Sequence, residues 1–234
     1  MRIPTPCPSP PTTNTISDSL STPLHEPEQE VIRTLFLTDS ILSGTPPHLL
    51  SVPQYACVKK VNYKLSDIFN FEPEFKFSDQ VVISAGVNDL YKYNYTAESL
   101  ADVVCRRLVQ CCRAHPHVQF VYNSILLSNF AWLNSETERF NDYMYEICLS
   151  TPNLSYFDSH AVVKQSKLDA VILPKSKGAV NRYANGIHIT LPARKVIVRE
   201  LARRLRSLAI PKTTGRNRPR NLMSGNTNHS NYPG

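Results

Sequence analysis

Short apolar runs recur through the middle of the chain, and their length and spacing predict the strands of a β-sheet. Runs this short, bounded by polar residues and rich in β-branched or aromatic side chains, are typical of strands buried on both faces. Four runs have this character, and a weaker fifth lies at 55–60 (YACVKK). The four are 33–38 (RTLFLT), 79–84 (DQVVIS), 117–124 (HVQFVYNS) and 154–158 (LSYFD).

Longer segments with helical periodicity separate these strands. Thr96 is a suitable N-cap, and a helical stripe of apolar residues follows it. The segment 135–149 (SETERFNDYMYEICL) opens with serine and early glutamate, as helices do, and a last helix follows Thr190. Because strands and helices alternate, we expect an α/β fold: a three-layer α/β/α sandwich with a flavodoxin-like parallel sheet of about five strands.

The composition limits the size of the folded part. The chain has 234 residues, 41% of them apolar, which suffices for one packed domain. Residues 1–30 hold 7 of the 18 prolines without apolar periodicity and predict a disordered Pro/Thr-rich leader. We expect a folded domain at 31–209 and a disordered basic tail at 210–234. No apolar run approaches the roughly 18 residues of a transmembrane helix, and no secretory signal is recognisable, so we expect a cytoplasmic, intracellular protein.

Positive charge is concentrated near the C-terminus. The chain carries +7 overall, whereas residues 194–220 alone carry +9, with Glu200 as their single acid. Two interpretations remain open: a solvated helix face followed by a disordered end, or a segment that binds nucleic acid, acidic lipid or an acidic partner. A second segment, 160–187, has five Lys or Arg against one acid. It either attracts an anionic substrate or is a solvated loop.

The cysteines give no sign of a metal site. None of the six forms a C-x-x-C pair, and no Cys/His cluster has zinc-ligand spacing. Cys105 and Cys112 lie seven residues apart on a predicted helix, as core positions do. A P-loop and a G-x-G-x-x-G motif are also absent. We therefore expect reduced thiols, no metal and no cofactor.

Three candidate catalytic residues should meet at one edge of the sheet. Parallel sheets bind ligands at the carboxyl ends of their strands. Ser40 in TDSIL follows the first strand, where we expect the first helix to begin, Asn88 in SAGVNDL follows the third, and His188 in NGIHIT precedes the last helix. Taken singly, they are an N-cap, a turn residue and a structural histidine. Taken together, they are a nucleophile, an oxyanion donor and a general base.

In this order, the motifs TDSIL, GVND and NGIHIT resemble the conserved blocks of the SGNH/GDSL hydrolase superfamily. The resemblance covers about residues 31–209. It implies that Ser40 is the nucleophile, His188 the base, and Asn88 an oxyanion donor beside the Ser40 backbone N–H. The implied function is a serine esterase that acts on carboxylic or acetyl esters through an acyl-enzyme.

The sequence departs from the family pattern in three places. Thr38 stands where the first block has glycine, which changes little. Asn62 in VNYKLSDI stands in place of the second-block glycine, and we expect its backbone N–H to serve as an oxyanion donor in a left-handed conformation. Asn185 replaces the aspartate of the last block, D-x-x-H, so the site is either attenuated or rescued by Asp158 as a substitute acid.

Several residues near these motifs are candidates for substrate binding. Tyr91 and Trp132 either wall an acyl or sugar pocket or simply pack the loops, and Asp39 and Gly86 adjoin the same pocket. The expected partner is a small ester or an acylated glycan. The alternative function is a catalytically weak SGNH-like binding module of retroelement-type origin, with a basic C-terminus that binds nucleic acid.

Overall fold

A computed structural model describes residues 31–49, 55–62, 64–173 and 186–208. The predictions made for the leader 1–30, for Asn185 and for the tail 210–234 lie outside the described residues. Within the described part of the chain, no helix is long and apolar enough to cross a membrane.

Five parallel strands form one sheet in the order β2-β1-β3-β4-β5. The order reverses beside β1, which creates the crevice where flavodoxin-like folds bind ligands. The predicted flavodoxin-like sheet of five strands is therefore confirmed. The strands are β1 Ile32–Thr38, β2 Tyr55–Val61, β3 Gln80–Ser84, β4 Gln119–Asn123 and β5 Leu154–Phe157.

Helices cover both faces of this sheet. The Thr96 side chain caps the third helix as predicted, since its Oγ1 accepts the Ser99 N–H at 3.2 Å. Two 3₁₀ helices, Pro47–Leu49 and Leu65–Phe71, lie on either side of β2 in sequence. The α-helices are α1 Glu72–Phe75, α2 Val87–Tyr91, α3 Ala97–Ala114, α4 Ala131–Ser150, α5 Ser159–Gln165 and α6 Leu191–Leu208.

The helix expected directly after β1 does not form. In the described residues between β1 and β2, the chain makes turns from Ser40 to Gly44 and then the short 3₁₀ helix at Pro47–Leu49. Consecutive prolines at 46 and 47 explain the difference, because proline lacks an N–H donor and disfavours helical backbone in the residue before it. Ser40 therefore lies in a turn and not at a helix N-terminus.

Two apolar layers hold the sandwich together. Alternate residues of β1 point to opposite faces: Leu35 and Leu37 join the layer beneath α3 and α4, and Phe36 joins the layer beneath α6. The apolar stripe of α6 packs on this second face through Ile197, Leu201 and Leu205. The three-layer arrangement predicted from the alternating pattern is confirmed.

The described cysteines contribute to this packing as free thiols. Cys112 is buried and Cys105 half-buried, and burial raises the pKa of Cys105 to about 11 and that of Cys112 to about 12. Such thiols are protonated and unreactive at neutral pH. No cluster of three or more His, Cys, Asp or Glu suited to a metal ion occurs among the described residues.

Candidate active site

The three candidate catalytic residues lie at the carboxyl end of the sheet. Ser40 comes two residues after the end of β1, and Asn88 lies in α2, which begins three residues after β3 ends. The direction of α6 places His188 at the same end. The Gln80 side chain, at the start of β3, donates to the Leu205 carbonyl at 2.7 Å, so the C-terminal end of α6 lies at the amino end of the strands. His188 precedes the opposite end of that helix.

Ser40 is half-buried in the turn after β1. Its carbonyl accepts a hydrogen bond from the Ser43 hydroxyl at 3.0 Å, whereas its own hydroxyl has no hydrogen-bond partner among the described residues. No hydrogen bond joins Ser40 to His188. The Ser40 hydroxyl is therefore available to a ligand within the described part of the protein.

Asp39 ties the loop after β1 to the loop after β3. Its side chain is only 2% exposed, and its carboxylate accepts the Ile41 N–H at 2.9 Å. Its backbone N–H donates to the Ser84 carbonyl at 3.1 Å, which joins the end of β1 to the end of β3. The nearby N–H groups of Gly86 and Val87 favour the charged form of the Asp39 carboxyl and so act to lower its pKa. Burial, with a smaller contribution from the charge of Asp89, raises the pKa of Asp39 to about 7. Asp39 was expected to contact substrate. The structure instead makes it a buried link between the Ser40 loop and the Asn88 loop.

Gly86 is required by the backbone at the start of α2. Its φ of 129° lies in the region that favours glycine, and a Cβ there would lie 2.7 Å from the Ile125 Cδ1 atom. Gly86 was expected to bind substrate, whereas its φ angle and the Ile125 contact make it a residue that shapes the loop. Asn88 remains the candidate donor on this side of the site.

The Asn88 side chain is half-buried and has no hydrogen-bond partner among the described residues. Its backbone carbonyl is occupied, since it accepts the N–H groups of Lys92 and Tyr93 at 2.8 and 3.1 Å. The neighbouring Asp89 is buried, accepts the Leu65 N–H at 2.8 Å, and has its pKa raised to about 6 by burial. These bonds fix α2 and leave the Asn88 amide available to donate.

Asn62 does not supply the oxyanion donor expected of it. Its backbone N–H donates to the Thr38 carbonyl at 2.9 Å, which continues the pairing between β1 and β2. Its backbone is not left-handed, because Asn94 and Lys167 are the only described non-glycine residues with positive φ. The Asn62 side chain turns to the Lys64 carbonyl at 2.8 Å. The Asn62 N–H is thus used in strand pairing and is not available to an oxyanion.

His188 is held by backbone pairing across a small antiparallel clamp. Residues 171–173 run antiparallel to 186–190, with a bridge between Ile172 and Ile189. The Leu173 N–H donates to the His188 carbonyl at 2.7 Å, and the Thr190 N–H donates to the Val171 carbonyl at 2.8 Å. Burial lowers the pKa of His188, and the positive charge of Arg194 lowers it further. The imidazole is therefore neutral at neutral pH, the form that a general base requires.

No carboxylate stabilises the protonated form of His188 in the described part of the protein. The pKa of His188 is lowered by burial and by the charge of Arg194, and no described acid contributes to the shift. Asp158, the expected substitute acid, is exposed and caps α5, because its Oδ1 accepts the Ala161 N–H at 2.9 Å. The structure thus gives Asp158 a capping function. Asn185 lies outside the described residues.

Aromatic rings form a wall beside the site. The Tyr91 and Trp132 rings, predicted to line a pocket, stack with centroids 6.2 Å apart, and Tyr91 also stacks on Phe130 at 5.8 Å. Tyr91 is 37% and Trp132 53% exposed. A Cβ on Gly186 would lie 3.2 Å from the Phe130 ring, so this aromatic cluster borders the segment that carries His188. Phe130 was not among the predicted site residues, although it stands only two residues before Trp132.

Solved structures share this architecture, although no protein-family model and no curated protein matches the sequence. A lipase/acylhydrolase from Enterococcus faecalis is 14% identical, with a TM-score of 0.58, and the match covers 76% of this chain and 96% of that chain. A member of the lipolytic protein G-D-S-L family from Veillonella parvula is 10% identical, with a TM-score of 0.57, and the match covers 76% and 100%. The chain has the SGNH/GDSL hydrolase fold. A carbohydrate esterase family 3 protein from Talaromyces cellulolyticus, 14% identical with a TM-score of 0.54, matches over 76% of this chain and 98% of that chain.

Beneath the site, this SGNH/GDSL sandwich contains a buried polar network that the sequence analysis also missed. The Asn123 amide donates to the Ser84 hydroxyl at 2.8 Å and accepts from the Ser159 hydroxyl. The Ser159 N–H donates to the Ser124 hydroxyl at 2.9 Å. These residues join the ends of β3, β4 and β5. Ser84, Asn123 and Ser124, together with Asp39, line a cavity of about 20 Å³. The only sequence signal for them is that each of these strands is followed by polar residues.

Proposed function

We propose that this protein is an SGNH-type serine hydrolase that cleaves carboxylic esters through an acyl-enzyme. The observation that carries the proposal is that Ser40, Asn88 and His188 lie at the carboxyl end of the sheet in an SGNH/GDSL fold. The Ser40 hydroxyl and the Asn88 amide have no hydrogen-bond partner among the described residues, and burial keeps the His188 imidazole neutral. These are the states that a nucleophile, an oxyanion donor and a general base require. The structural similarity supports the fold, and these three side chains support the activity.

The proposed reaction has two steps, acylation of Ser40 and hydrolysis of the acyl-enzyme, and His188 transfers a proton in both. The Ser40 Oγ attacks the ester carbonyl carbon while His188 takes the hydroxyl proton. The Asn88 amide and the Ser40 backbone N–H donate to the oxyanion of the tetrahedral intermediate. His188 then returns its proton to the departing alcohol, which leaves Ser40 acylated. Water, deprotonated by His188, releases the acid and restores the hydroxyl.

The charge around His188 predicts slow catalysis. In this scheme His188 becomes positively charged in the transition state, and among the described residues Arg194 is the charge that acts on it. In a serine protease, exchange of the triad aspartate for asparagine lowers kcat by about 10⁴. We therefore propose an attenuated esterase, with weak turnover on unselected esters.

The aromatic cluster of Tyr91, Phe130 and Trp132 is the proposed binding wall for the non-reacting part of the substrate. Tyr91 lies one helical turn after Asn88, and Phe130 packs against Gly186, two residues before His188. The wall therefore adjoins both the oxyanion side and the base side of the site. Flat, exposed rings of this kind bind acyl chains and the apolar faces of sugars, which favours a small acetylated glycan or another small ester.

A fluorophosphonate probe tests the catalytic proposal, because it labels only an activated serine. We expect labelling of the wild-type protein and its loss in Ser40→Ala and in His188→Ala. Ser207→Ala is the matched control, since Ser207 lies near the far end of α6 and should leave labelling unchanged. Labelling that survives Ser40→Ala would contradict the assignment of the nucleophile.

A second candidate function is that of a catalytically weak binding module for nucleic acid. The observation that favours it is the exposed face of α6, which carries Lys195, Arg199, Arg203, Arg204 and Arg206. Among the described residues, Arg199 and Arg203 share one acid there, Glu200, at 3.5 and 2.8 Å, and the other three form no ion pair. Affinity for RNA or DNA should fall steeply with salt and weaken on truncation after Ala209. Salt-insensitive binding would leave α6 as a solvated face.

A further inference from the structure

An arginine lies beside the candidate active site. Arg194 is in the first turn of α6, where its N–H donates to the Thr190 carbonyl at 3.0 Å. A Cβ on Gly44 would approach the Arg194 Cζ to 3.2 Å, so the guanidinium lies against the loop that begins at Ser40. The same charge acts on His188. Arg194 therefore borders both the candidate nucleophile loop and the candidate base.

This guanidinium has no protein partner in the described part of the chain. It forms no ion pair and no side-chain hydrogen bond there, and its Nε atom is fully buried. Other arginines of the same helix are paired: Arg199 and Arg203 both contact Glu200. A half-buried cation with an unsatisfied N–H group is costly unless something else supplies an acceptor.

The neighbouring sequence supplies no acid either. Between Asp169 and Glu200 there are six Lys or Arg and no Asp or Glu, and residues 50–54 also lack an acid. The segment that carries His188 and Arg194 is thus uniformly basic. This segment therefore offers Arg194 no carboxylate, and an anionic ligand would supply the acceptor that Arg194 lacks in the described part of the chain.

We propose that Arg194 binds an anionic oxygen group, a carboxylate or phosphate, that the substrate carries close to its ester bond. A guanidinium pairs with such groups through two parallel N–H bonds, which fixes the ligand in both position and orientation. The bound anion would also offset the positive charge beside His188 and so stabilise the imidazolium that forms during attack. The substrate would then bring the negative charge that the site lacks. This effect on rate rests on the proposed esterase function, whereas the binding does not.

Binding is tested with amide analogues that the site does not turn over. We expect 4-acetamidobenzoate to bind the wild-type protein at least tenfold more tightly than the neutral 4-acetamidobenzamide, as measured by calorimetry. Arg194→Gln should abolish that preference, and Arg194→Lys, which keeps the charge, should retain part of it. Lys195→Gln is the matched control, because Lys195 is exposed next to Arg194 in the sequence and should leave the preference unchanged. Equal affinities in the wild type, or a preference that survives Arg194→Gln, would overturn the inference.

Hydrolysis separates this inference from the proposed function and locates the anion. Mono-4-nitrophenyl succinate carries its charge on the acyl side and 4-acetoxybenzoate on the alcohol side; 4-nitrophenyl butyrate and methyl 4-acetoxybenzoate are their neutral counterparts. We expect one charged ester to exceed its counterpart at least tenfold in kcat/KM, and Arg194→Gln to remove the excess. Ser40-dependent hydrolysis with no such excess would overturn the inference and leave the esterase standing. Arg194-dependent binding without hydrolysis of any of these esters would overturn the proposed esterase and leave the binding of an anion by Arg194 standing.

Discussion

The oxyanion side and the base side of the candidate site are built in opposite ways. On the oxyanion side, the Asn88 loop is anchored by buried acids: the Asp39 N–H donates to the Ser84 carbonyl just before this loop, and the Asp89 carboxylate accepts the Leu65 N–H. On the base side, His188 is held by backbone pairing, and Arg194 is the charged group in the described part of the chain that shifts its pKa. One side thus contains buried carboxyl groups with raised pKa values, and the other places a cation beside the candidate base.

This contrast separates positioning from chemistry. Buried acids that accept backbone N–H groups set the shape of a loop, and removing them should change stability before it changes rate. A missing acid beside a base changes the rate and leaves the fold alone. Mutations on the two sides should therefore give different signatures.

The largest effect is expected on the oxyanion side, from loss of the Asn88 amide. Asn88→Ala should lower kcat by about 10²–10³ with little change in KM, because an oxyanion donor acts in the transition state. Steady-state kinetics on 4-nitrophenyl acetate measure it. Lys92→Ala is the control, because Lys92 is exposed and lies close to Asn88 in the sequence. It should leave kcat unchanged. A change confined to KM would show that Asn88 only binds substrate.

Next in size is a pH dependence that comes from Asp39. Its pKa is about 7 in the folded protein against an ordinary value of 3.8, so the folded state keeps a proton that the unfolded chain releases. The free energy of unfolding should therefore fall as the pH rises from about 4 to about 7, by roughly 2–4 kcal/mol.

Urea unfolding at several pH values measures this slope. Asp39→Asn keeps an acceptor for the Ile41 N–H, removes the charge, and should flatten the slope. The exposed Asp102→Asn is the control and should leave it unchanged. A slope that persists in Asp39→Asn would assign the pH dependence to another group, for example Asp89.

A smaller effect should follow from Gly86→Ala, which strains the backbone at the start of α2. At a φ of 129° an alanine is disfavoured, and its Cβ would collide with Ile125. We expect a loss of about 1–3 kcal/mol in the free energy of unfolding. Gly44→Ala is the comparison, because its Cβ meets only the flexible Arg194 side chain and should cost less. Equal losses at the two glycines would show that φ does not decide the cost.

The smallest effect is expected on the base side, where a carboxylate can be added near His188. Asn185→Asp would restore a carboxylate three residues before His188 and should raise kcat by about tenfold or more, with stability unchanged. Asp158→Asn should have no effect on kcat, since Asp158 caps α5. If Asp158→Asn is the damaging change and Asn185→Asp is silent, the acid comes from Asp158 after all.

Much of the architecture was predictable from local pattern. Apolar runs marked the five strands, and Thr96 and the stripe after Thr190 marked α3 and α6. The prediction failed after β1, where Pro46 and Pro47 prevent the helix expected at Ser40. The cause of this failure was also local, because the two prolines stand in the same stretch of sequence.

The candidate site was predictable only as a set of positions. The positions of the three motifs predicted that Ser40, Asn88 and His188 lie at one edge of the sheet, because parallel strands have their carboxyl ends at the same edge. What each backbone group does there depended on partners far away in sequence. The Thr38 carbonyl accepts the Asn62 N–H, and the Ser84 carbonyl accepts the Asp39 N–H. Such bonds join residues more than twenty positions apart, and periodicity carries no information about them.

The alternation of strands and helices and the chain positions of the candidate site residues were predictable from the amino-acid sequence, because they follow from side-chain periodicity and from the direction of parallel strands. Tertiary contacts fixed the layer that each apolar residue joins, the polar groups that hold the loops and the polar groups that stay available. They buried Asp39, gave Asp158 to a helix cap, stacked Phe130 with Tyr91, and set Arg194 beside His188. The reason is physical: burial and charge at a site are sums over neighbours in space, and only the folded chain fixes which neighbours those are.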